Sequence, residues 1–232
     1  MLFILARLCY NDYMITNLVR ENRKTLSIMI DRAGEMHIKA PKNYPLKDIL
    51  EFVKQKQKWI ASKQNEIKKV NENNKDFLEY SKILYLGQAY EPVFARTSSP
   101  IIKDNLFLVP EKYAGNMKNK LAKWLKERAL GVVENRLLYL SSQFNLDFSS
   151  VKLINSRVRW GSCDSNKNLS FNWRIIMLPP NLIDYIIVHE LAHLKEMNHS
   201  KMFWYAVSKM MPNFEIERKK LKQSSFVLEL YR

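Results

Sequence analysis

Residues 185–204 read YIIVHELAHLKEMNHSKMFW, and this stretch holds three of the four histidines of the chain. His189 and His193 are four positions apart, so on a helix both imidazoles lie on one face, one turn apart, and reach the same ion. Glu190 is turned by about 100° from His189. Its carboxylate can therefore flank a metal ion and accept a proton from water. The spacing predicts a helix that carries a metal centre with a general base.

A metal centre of this type needs a third protein ligand, because catalytic zinc sites usually have three and keep a fourth position for water or substrate. His199 is the first candidate. Glu196 is the alternative, since on an unbroken helix it would share the face of His189. It could equally serve as a hydrogen-bond partner for an imidazole N–H.

His199 can join the other two histidines only if the helix ends before it, because on a continuous helix its side chain would point away from them. We expect the break at Asn198, since asparagine tolerates the left-handed conformation that ends helices. Ser200 is then a suitable cap for a new helix that begins at Lys201.

An inert helix is the competing interpretation, because H-E-x-x-H also arises by chance and a single buried histidine is more often a hydrogen-bonded core residue. The run 182–188 is apolar, and a third histidine follows within reach. These two observations favour the metal site.

The chain resembles a known family at several motifs. They are SRVRWGSC at 156–163, MLPP at 177–180, the segment 185–204 and MPN at 211–213. Together they are similar to the YgjP-like zinc metallopeptidases, which are relatives of the SprT-type proteases, most strongly over 115–222. The resemblance implies that His189, His193 and His199 bind one zinc ion and that Glu190 is the catalytic base. It also implies an α+β fold with a zincin-like catalytic domain, in which the metal helix packs under a small mixed sheet.

The patterning of the chain predicts two domains, a β-rich region with one long helix at 1–114 and a second domain at 115–232, which the resemblance implies is zincin-like. Strands are predicted at 15–20, 25–31, 35–40, 83–86, 90–95, 105–109, 151–155 and 169–173, and helices at 45–70, 117–144 and from Pro180 onward. The first three strands are expected to form an antiparallel sheet. The strands at 151–155 and 169–173 are expected to form the platform beside the metal helix.

Composition places the chain among soluble globular proteins, with 232 residues, 47% hydrophobic residues and a net charge of +15. The two cysteines, Cys9 and Cys163, suggest no disulfide framework, which fits a cytoplasmic location. No segment has the length needed for a signal peptide or a membrane span. Met14 is an alternative start to Met1, because a coherent strand pattern begins just after it.

The loop before Cys163 contains a candidate substrate-binding residue. Arg159 could bind a carboxylate or a phosphate and stabilise developing negative charge. In the competing interpretation Arg157 and Arg159 are exposed loop charges, while Trp160 packs on the helix and Gly161 permits a tight turn. Cys163 could be a ligand or a nucleophile, but a small buried thiol is the expectation.

Three functions fit these observations. The first is a zinc peptidase in which Glu190 activates water that attacks a peptide carbonyl. The second is a phosphohydrolase of the pyrophosphatase type acting on nucleotides, which the basic charge and the loop arginines favour. The third is a SprT-like protease associated with nucleic acid, since a net positive charge attracts polyanions. The expected partners are thus a peptide or nucleotide substrate, with nucleic acid as an alternative.

Overall fold

The computed structural model describes the backbone of residues 4–10 and 13–231 and the side chains of residues 15–231. Met1 and the side chain of Cys9 lie outside the described residues. The chain forms two compact units, Met1–Lys75 and Asp76–Arg232. The boundary predicted after residue 114 falls within the second unit.

The first unit is a four-stranded sheet with two helices. Its elements are β1 (Ile4–Tyr10), β2 (Tyr13–Glu21), β3 (Ser27–Ile30), β4 (Met36–Pro41), α1 (Leu46–Gln55) and α2 (Gln57–Asn73). The strand order is β1-β2-β4-β3. The expectation of an antiparallel sheet is wrong, because β2 and β4 pair in parallel. The helix predicted at 45–70 is divided at Lys56, and β1 was not predicted.

The core of the first unit is formed by alternate residues of the strands and by one face of the helices. Its fully buried members are Ile15, Leu18, Met36, Ile38, Ala40, Ile49, Val53 and Ile60. On the opposite face of β4, His37 Nε2 lies 3.1 Å from Asp31 Oδ2. The carboxylate of Asp31 also accepts hydrogen bonds from the amides of Ala33 and Glu35. His37 thus closes the β3–β4 turn, which agrees with a structural role.

The second unit begins within α3 (Lys75–Leu78) and contains two further sheets. Its other elements are β5 (Ile83–Tyr85), β6 (Gln88–Ala95), β7 (Ile101–Lys103), β8 (Leu106–Pro110), α4 (Met117–Gln143), β9 (Ser150–Ile154), β10 (Gly161–Cys163), β11 (Asn168–Asn172), α5 (Pro180–His193), α6 (Lys201–Met210) and α7 (Phe214–Gln223). The sheets have the orders β5-β6-β8-β7 and β10-β11-β9, and each has one parallel and at least one antiparallel pair. The fold class is therefore α+β, with seven helices and three small mixed sheets in the described residues.

Helix α5 is the central element of the second unit. Nearly all of its apolar side chains are buried, including Ile183, Ile187 and Leu191. Arg136 of α4 donates two hydrogen bonds to Asp184, at 2.8 and 2.7 Å, which fixes the two helices side by side. None of the helices in residues 4–10 and 13–231 has the length and apolar character needed to cross a membrane.

The β5–β6 turn explains why these strands belong to the second unit. The amides of Leu86 and Gly87 donate hydrogen bonds to the carbonyls of Ile176 and Met177, just before α5. Phe107 of β8 packs edge-on against Trp124 of α4, with ring centroids 5.4 Å apart. The strands at 83–110 therefore share one core with α4 and α5.

Gly87→Ala should destabilise the protein by about 1–3 kcal/mol. Gly87 has φ +79°, and a Cβ there would lie 2.7 Å from Pro179 Cγ. Urea denaturation measures the effect. Gly131→Ala is the matched control, because a Cβ at this exposed helical position meets nothing within 4 Å. It should be stabilising by up to about 1 kcal/mol, and equal effects at the two positions would refute the packing argument.

Candidate metal centre

The first two histidines of the candidate centre lie on the last turns of α5. This helix has proline at its first position and an apolar surface that is buried on several sides, so its orientation is fixed by packing. His189 and His193 lie on one face, with ring centroids 5.1 Å apart. The sequence spacing therefore gives the juxtaposition that was predicted.

The third histidine is delivered by the loop between α5 and α6. Helix α5 ends at His193, so the break comes earlier than the predicted position at Asn198, which has no left-handed backbone. Leu194 and Lys195 close the helix through hydrogen bonds to carbonyls of the last turn. The side chain of Ser200 then accepts a hydrogen bond from the amide of Phe203 and caps α6, as the sequence predicts.

The three imidazoles converge on one point. His199 Nε2 lies 3.0 Å from His189 Nε2, and one nitrogen atom from each of the three rings lies within 4.8 Å of the others. His193 Nδ1 lies 3.1 Å from the carbonyl oxygen of Glu196 and can donate to it, which leaves Nε2 as its acceptor atom. Glu196 thus contacts an imidazole through its backbone. Its side chain instead accepts a hydrogen bond from the amide of Asn198 at 3.4 Å.

Two aromatic residues of α6 pack against these rings. Phe203 is fully buried, and its ring lies 4.5 Å from that of His193 and 4.7 Å from that of His199, centroid to centroid. Trp204 lies 5.8 Å from His199 and 5.9 Å from His189. These contacts restrict the rotation of the imidazole rings. Helix α6 therefore helps to hold the three histidines in place.

Burial keeps the imidazoles of α5 neutral. It lowers the pKa of His189 to about 3, with further lowering by His193, His199 and the nearby Arg218. The pKa of His193 is lowered as well, again chiefly by burial. A metal ion needs neutral imidazole ligands. Both rings are therefore in the protonation state that binds a cation at neutral pH.

Glu190 follows His189 on α5 and is buried, with only 5% of its surface exposed. Burial raises the pKa of its carboxyl group to about 8, although the positive charge of Arg159 acts in the opposite direction. In the described residues, Glu190 Oε2 and His189 Nδ1 are buried and have no hydrogen-bond partner. Buried polar atoms without partners are rare in proteins. The unpartnered Glu190 oxygen fits a site that is completed by water, whereas His189 meets His199 through Nε2, so its Nδ1 is not the nitrogen that would face a cation.

The edge strand β10 passes directly over the Glu190 carboxylate. A Cβ at Gly161 would lie 2.5 Å from Glu190 Oε1, so the strand can approach this closely only because residue 161 is glycine. Gly161 is the first residue of β10 and not part of a tight turn. Cys163 follows on the same strand. Burial raises the pKa of its thiol, and the nearby carboxylate of Glu190 raises the pKa of this thiol further.

A buried polar network fixes the loop that leads into β10, and the sequence pattern did not reveal it. Asn172 is fully buried, and its side-chain Nδ2 donates hydrogen bonds to the carbonyls of Ser156 and Arg159 at 2.6 and 3.1 Å. Its backbone N–H donates a hydrogen bond to the carbonyl of Trp160. The same side chain accepts a hydrogen bond from the amide of Arg174. Asn172 thus holds three backbone positions of the loop.

Arg174 extends this network to the C-terminal segment. Its guanidinium donates to Asn155 Oδ1 at 2.7 Å and to the carbonyl of Leu230 at 2.6 Å, and it is 2% exposed. The sequence of β11, Asn-Leu-Ser-Phe-Asn, alternates polar and apolar residues, and this pattern predicts that Asn172 faces solvent. The strand is instead buried on both faces, so its sequence did not reveal the inward-facing Asn172. Arg159, by contrast, is exposed, and its positive charge acts on the Glu190 carboxyl group. Its role in substrate binding stays a prediction.

Asn172→Ala should lower the free energy of unfolding by about 3 kcal/mol, because several buried hydrogen-bonding groups then lose their partner. Urea denaturation with a fluorescence signal measures this. Asn166→Ala is the control, since Asn166 is exposed, and it should change stability by less than about 0.5 kcal/mol. Similar values for both variants would show that the Asn172 network does not stabilise the loop.

Comparison with known proteins places the chain in a family. The model described as YgjP-like, metallopeptidase domain, matches residues 24–224. The metallopeptidase zymogen of Pyrococcus abyssi abylysin is 21% identical over 40% of this chain and 93% of its own, with a TM-score of 0.37. The metallopeptidase zymogen of Methanocaldococcus jannaschii jannalysin is 20% identical over 40% of this chain and 95% of its own, with a TM-score of 0.36. No curated protein matches the chain.

The family match carries the assignment, since it spans most of the chain and includes the three converging histidines and Glu190. The structural likenesses are partial and add nothing to it. The comparisons do not bear on a nucleotide or nucleic-acid partner, so those two alternatives stay predictions. The chain belongs to the YgjP-like metallopeptidase family and is a metallopeptidase-like hydrolase.

Proposed function

We propose that the chain is a zinc-dependent peptidase in which His189, His193 and His199 hold one zinc ion and Glu190 is the general base. The observation that carries this proposal is the convergence of three imidazole nitrogens within 4.8 Å, two of them from a helix that also carries a buried carboxylate with an unpartnered oxygen. Neither an inert helix nor a set of surface histidines requires such an arrangement.

The set of donor atoms suits zinc. Three imidazole nitrogens form a common ligand set for catalytic zinc and leave one coordination position for water or substrate. When bound, zinc lowers the pKa of water to about 7 and polarises a carbonyl group. The contact between His193 and the Glu196 carbonyl is of the kind that orients metal-binding imidazoles.

Glu190 moves the proton in the proposed reaction. Its carboxylate accepts a proton from the attacking water and returns it to the leaving amine. Burial favours the protonated carboxyl, whereas the guanidinium of Arg159 and a cation in the histidine site both favour the carboxylate. The group can therefore hold a proton and release it at neutral pH, which both steps require.

We assign substrate binding to β10 and Arg159. Strand β10 is the edge of the β10-β11-β9 sheet, so one row of its backbone groups is not used by that sheet and can pair with an extended polypeptide. Because β10 passes over Glu190, a peptide bond held there would lie beside the base. Arg159 is exposed next to Glu190 and would stabilise the negative charge that develops on the attacked carbonyl.

The test is cleavage of an unfolded, fluorescently labelled polypeptide by purified protein of known metal content. We expect about one zinc ion per chain, loss of cleavage on chelation and recovery when zinc is returned. Nucleoside triphosphates are assayed in parallel. Their hydrolysis without cleavage of any polypeptide would contradict the proposal and favour the phosphohydrolase.

A further inference from the structure

Helix α6 has a second, exposed face that the proposed active site does not use. Phe203 and Val207 on one face are fully buried. Met202 and Tyr205 on the other face are 64% and 57% exposed, and Lys209 continues the same line one turn later. Met202 and Tyr205 thus place two exposed apolar side chains next to each other on one face of α6, beside a lysine.

This face lines a surface groove of about 370 Å³. The groove is bordered by Phe144 at the end of α4, by Lys195 and Glu196 of the loop after α5, and by Met202, Tyr205 and Met210 of α6. Its volume lies at the lower end of the range found for ligand pockets. We call this feature the α6 groove.

The α6 groove and the histidine cluster share the same helix and loop. Phe203 packs on the rings of His193 and His199 from the buried face of α6, while the groove lies along the exposed face. A helix is about 10 Å across. A chain segment bound in the groove would thus lie about one helix diameter from the candidate metal centre.

The lining of the groove indicates its occupant. Methionine side chains are flexible and polarisable, and proteins that accept many different sequences use such surfaces. Lys195 and Lys209 border the groove and have no acidic partner in the part of the chain that the structure describes, against the single carboxylate of Glu196. The chemistry fits a polypeptide segment that combines apolar side chains with aspartate or glutamate.

We propose that the α6 groove is an exosite that binds acidic, apolar segments of the polypeptide substrate outside the cleft. This inference rests on the proposed peptidase function and adds a substrate preference to it. A second copy of this chain is a poorer occupant, because a protein with a net charge of +15 repels itself.

Binding is tested with the full chain carrying Glu190→Gln and loaded with zinc. The probe is a fluorescein-labelled peptide of about 20 residues built from leucine, methionine, serine and aspartate, and a second peptide has lysine for aspartate. Fluorescence anisotropy at low salt should show the acidic peptide bound at least about tenfold more tightly. Equal binding of the two peptides, or none, would overturn the exosite.

Two double variants locate the binding. Met202→Glu with Tyr205→Glu should weaken binding of the acidic peptide at least about tenfold, and Lys195→Glu with Lys209→Glu should reverse the preference between the peptides. Phe94→Glu is the matched control, since Phe94 is 48% exposed in the same unit and does not line the groove. All four substituted side chains are exposed, and a melting curve verifies folding. A dimer that the same variants disrupt would instead assign the groove to self-association.

Cleavage separates this inference from the proposed function. The cleavage test uses protein that retains Glu190. The groove variants should raise the KM for the long acidic peptide about tenfold, and they should change kcat/KM for an eight-residue peptide less than twofold. If no peptide is cleaved but the binding preference holds, the peptidase proposal fails and the groove stands. If peptides are cleaved and the groove variants have no effect, the exosite is refuted.

Discussion

Glu190→Gln should reduce polypeptide cleavage by about 10²–10⁴-fold, the range that general acid–base catalysis contributes. Glutamine has nearly the same shape as glutamate and fits the same buried space under β10, but it cannot accept a proton from water. Glu190 is not among the three converging nitrogen donors, so the zinc content should not change. Steady-state kinetics together with metal analysis measure both effects.

A matched substitution makes this result specific. Glu127 lies on the exposed surface of α4, where it pairs with Lys123 at 3.9 Å, and Glu127→Gln should leave both cleavage and zinc content unchanged. A Glu190→Gln protein that retains the wild-type rate would remove Glu190 from the mechanism. A protein that has lost zinc would show instead that the carboxylate is a ligand.

His199→Ala should weaken zinc binding by at least about 100-fold. Loss of a residue that only orients a ligand already costs 10–100-fold in metal affinity, so loss of a ligand should cost more. Competition with a fluorescent zinc chelator measures the affinity. The melting temperature gives a second measurement, because a 100-fold loss of affinity removes up to about 2.7 kcal/mol of the stabilisation by bound zinc.

The metal-free proteins provide the control for folding. His199 is exposed, so the alanine variant and the wild type should have similar melting temperatures after chelation. Glu196→Gln tests the alternative third ligand, and it should leave zinc affinity unchanged because the carbonyl, not the carboxylate, contacts His193. If Glu196→Gln loses zinc and His199→Ala does not, the proposed ligand set is wrong.

The histidine cluster could be predicted from the sequence because its geometry is local. The interval between His189 and His193 fixes their relation on any helix, and Ser200 marks the start of the next helix through a bond to an amide three residues on. The predicted position of the helix break at Asn198 is wrong, because α5 already ends at His193. Helix α5 ends without glycine, and no residue at this point has a left-handed backbone that would have marked the end.

The parts that the sequence did not predict depend on contacts between distant residues. Asn172 binds backbone atoms 13 and 16 residues away, and nothing in its neighbourhood indicates this. Strands β7 and β10 have three residues each, too few for a periodic pattern. The chain divides into two units at residue 75 because the β5–β8 sheet packs on α4. The order of the elements along the chain does not specify this packing.

Gly161 has a consequence for comparing sequences. Any side chain at this position would occupy the place of the Glu190 carboxylate, so a chain can keep the H-E-x-x-H pattern and still be unable to house its glutamate in this orientation. Among relatives with intact histidines, the residue aligned with Gly161 should therefore separate chains with a working active site from those that have become binding proteins or inactive paralogues.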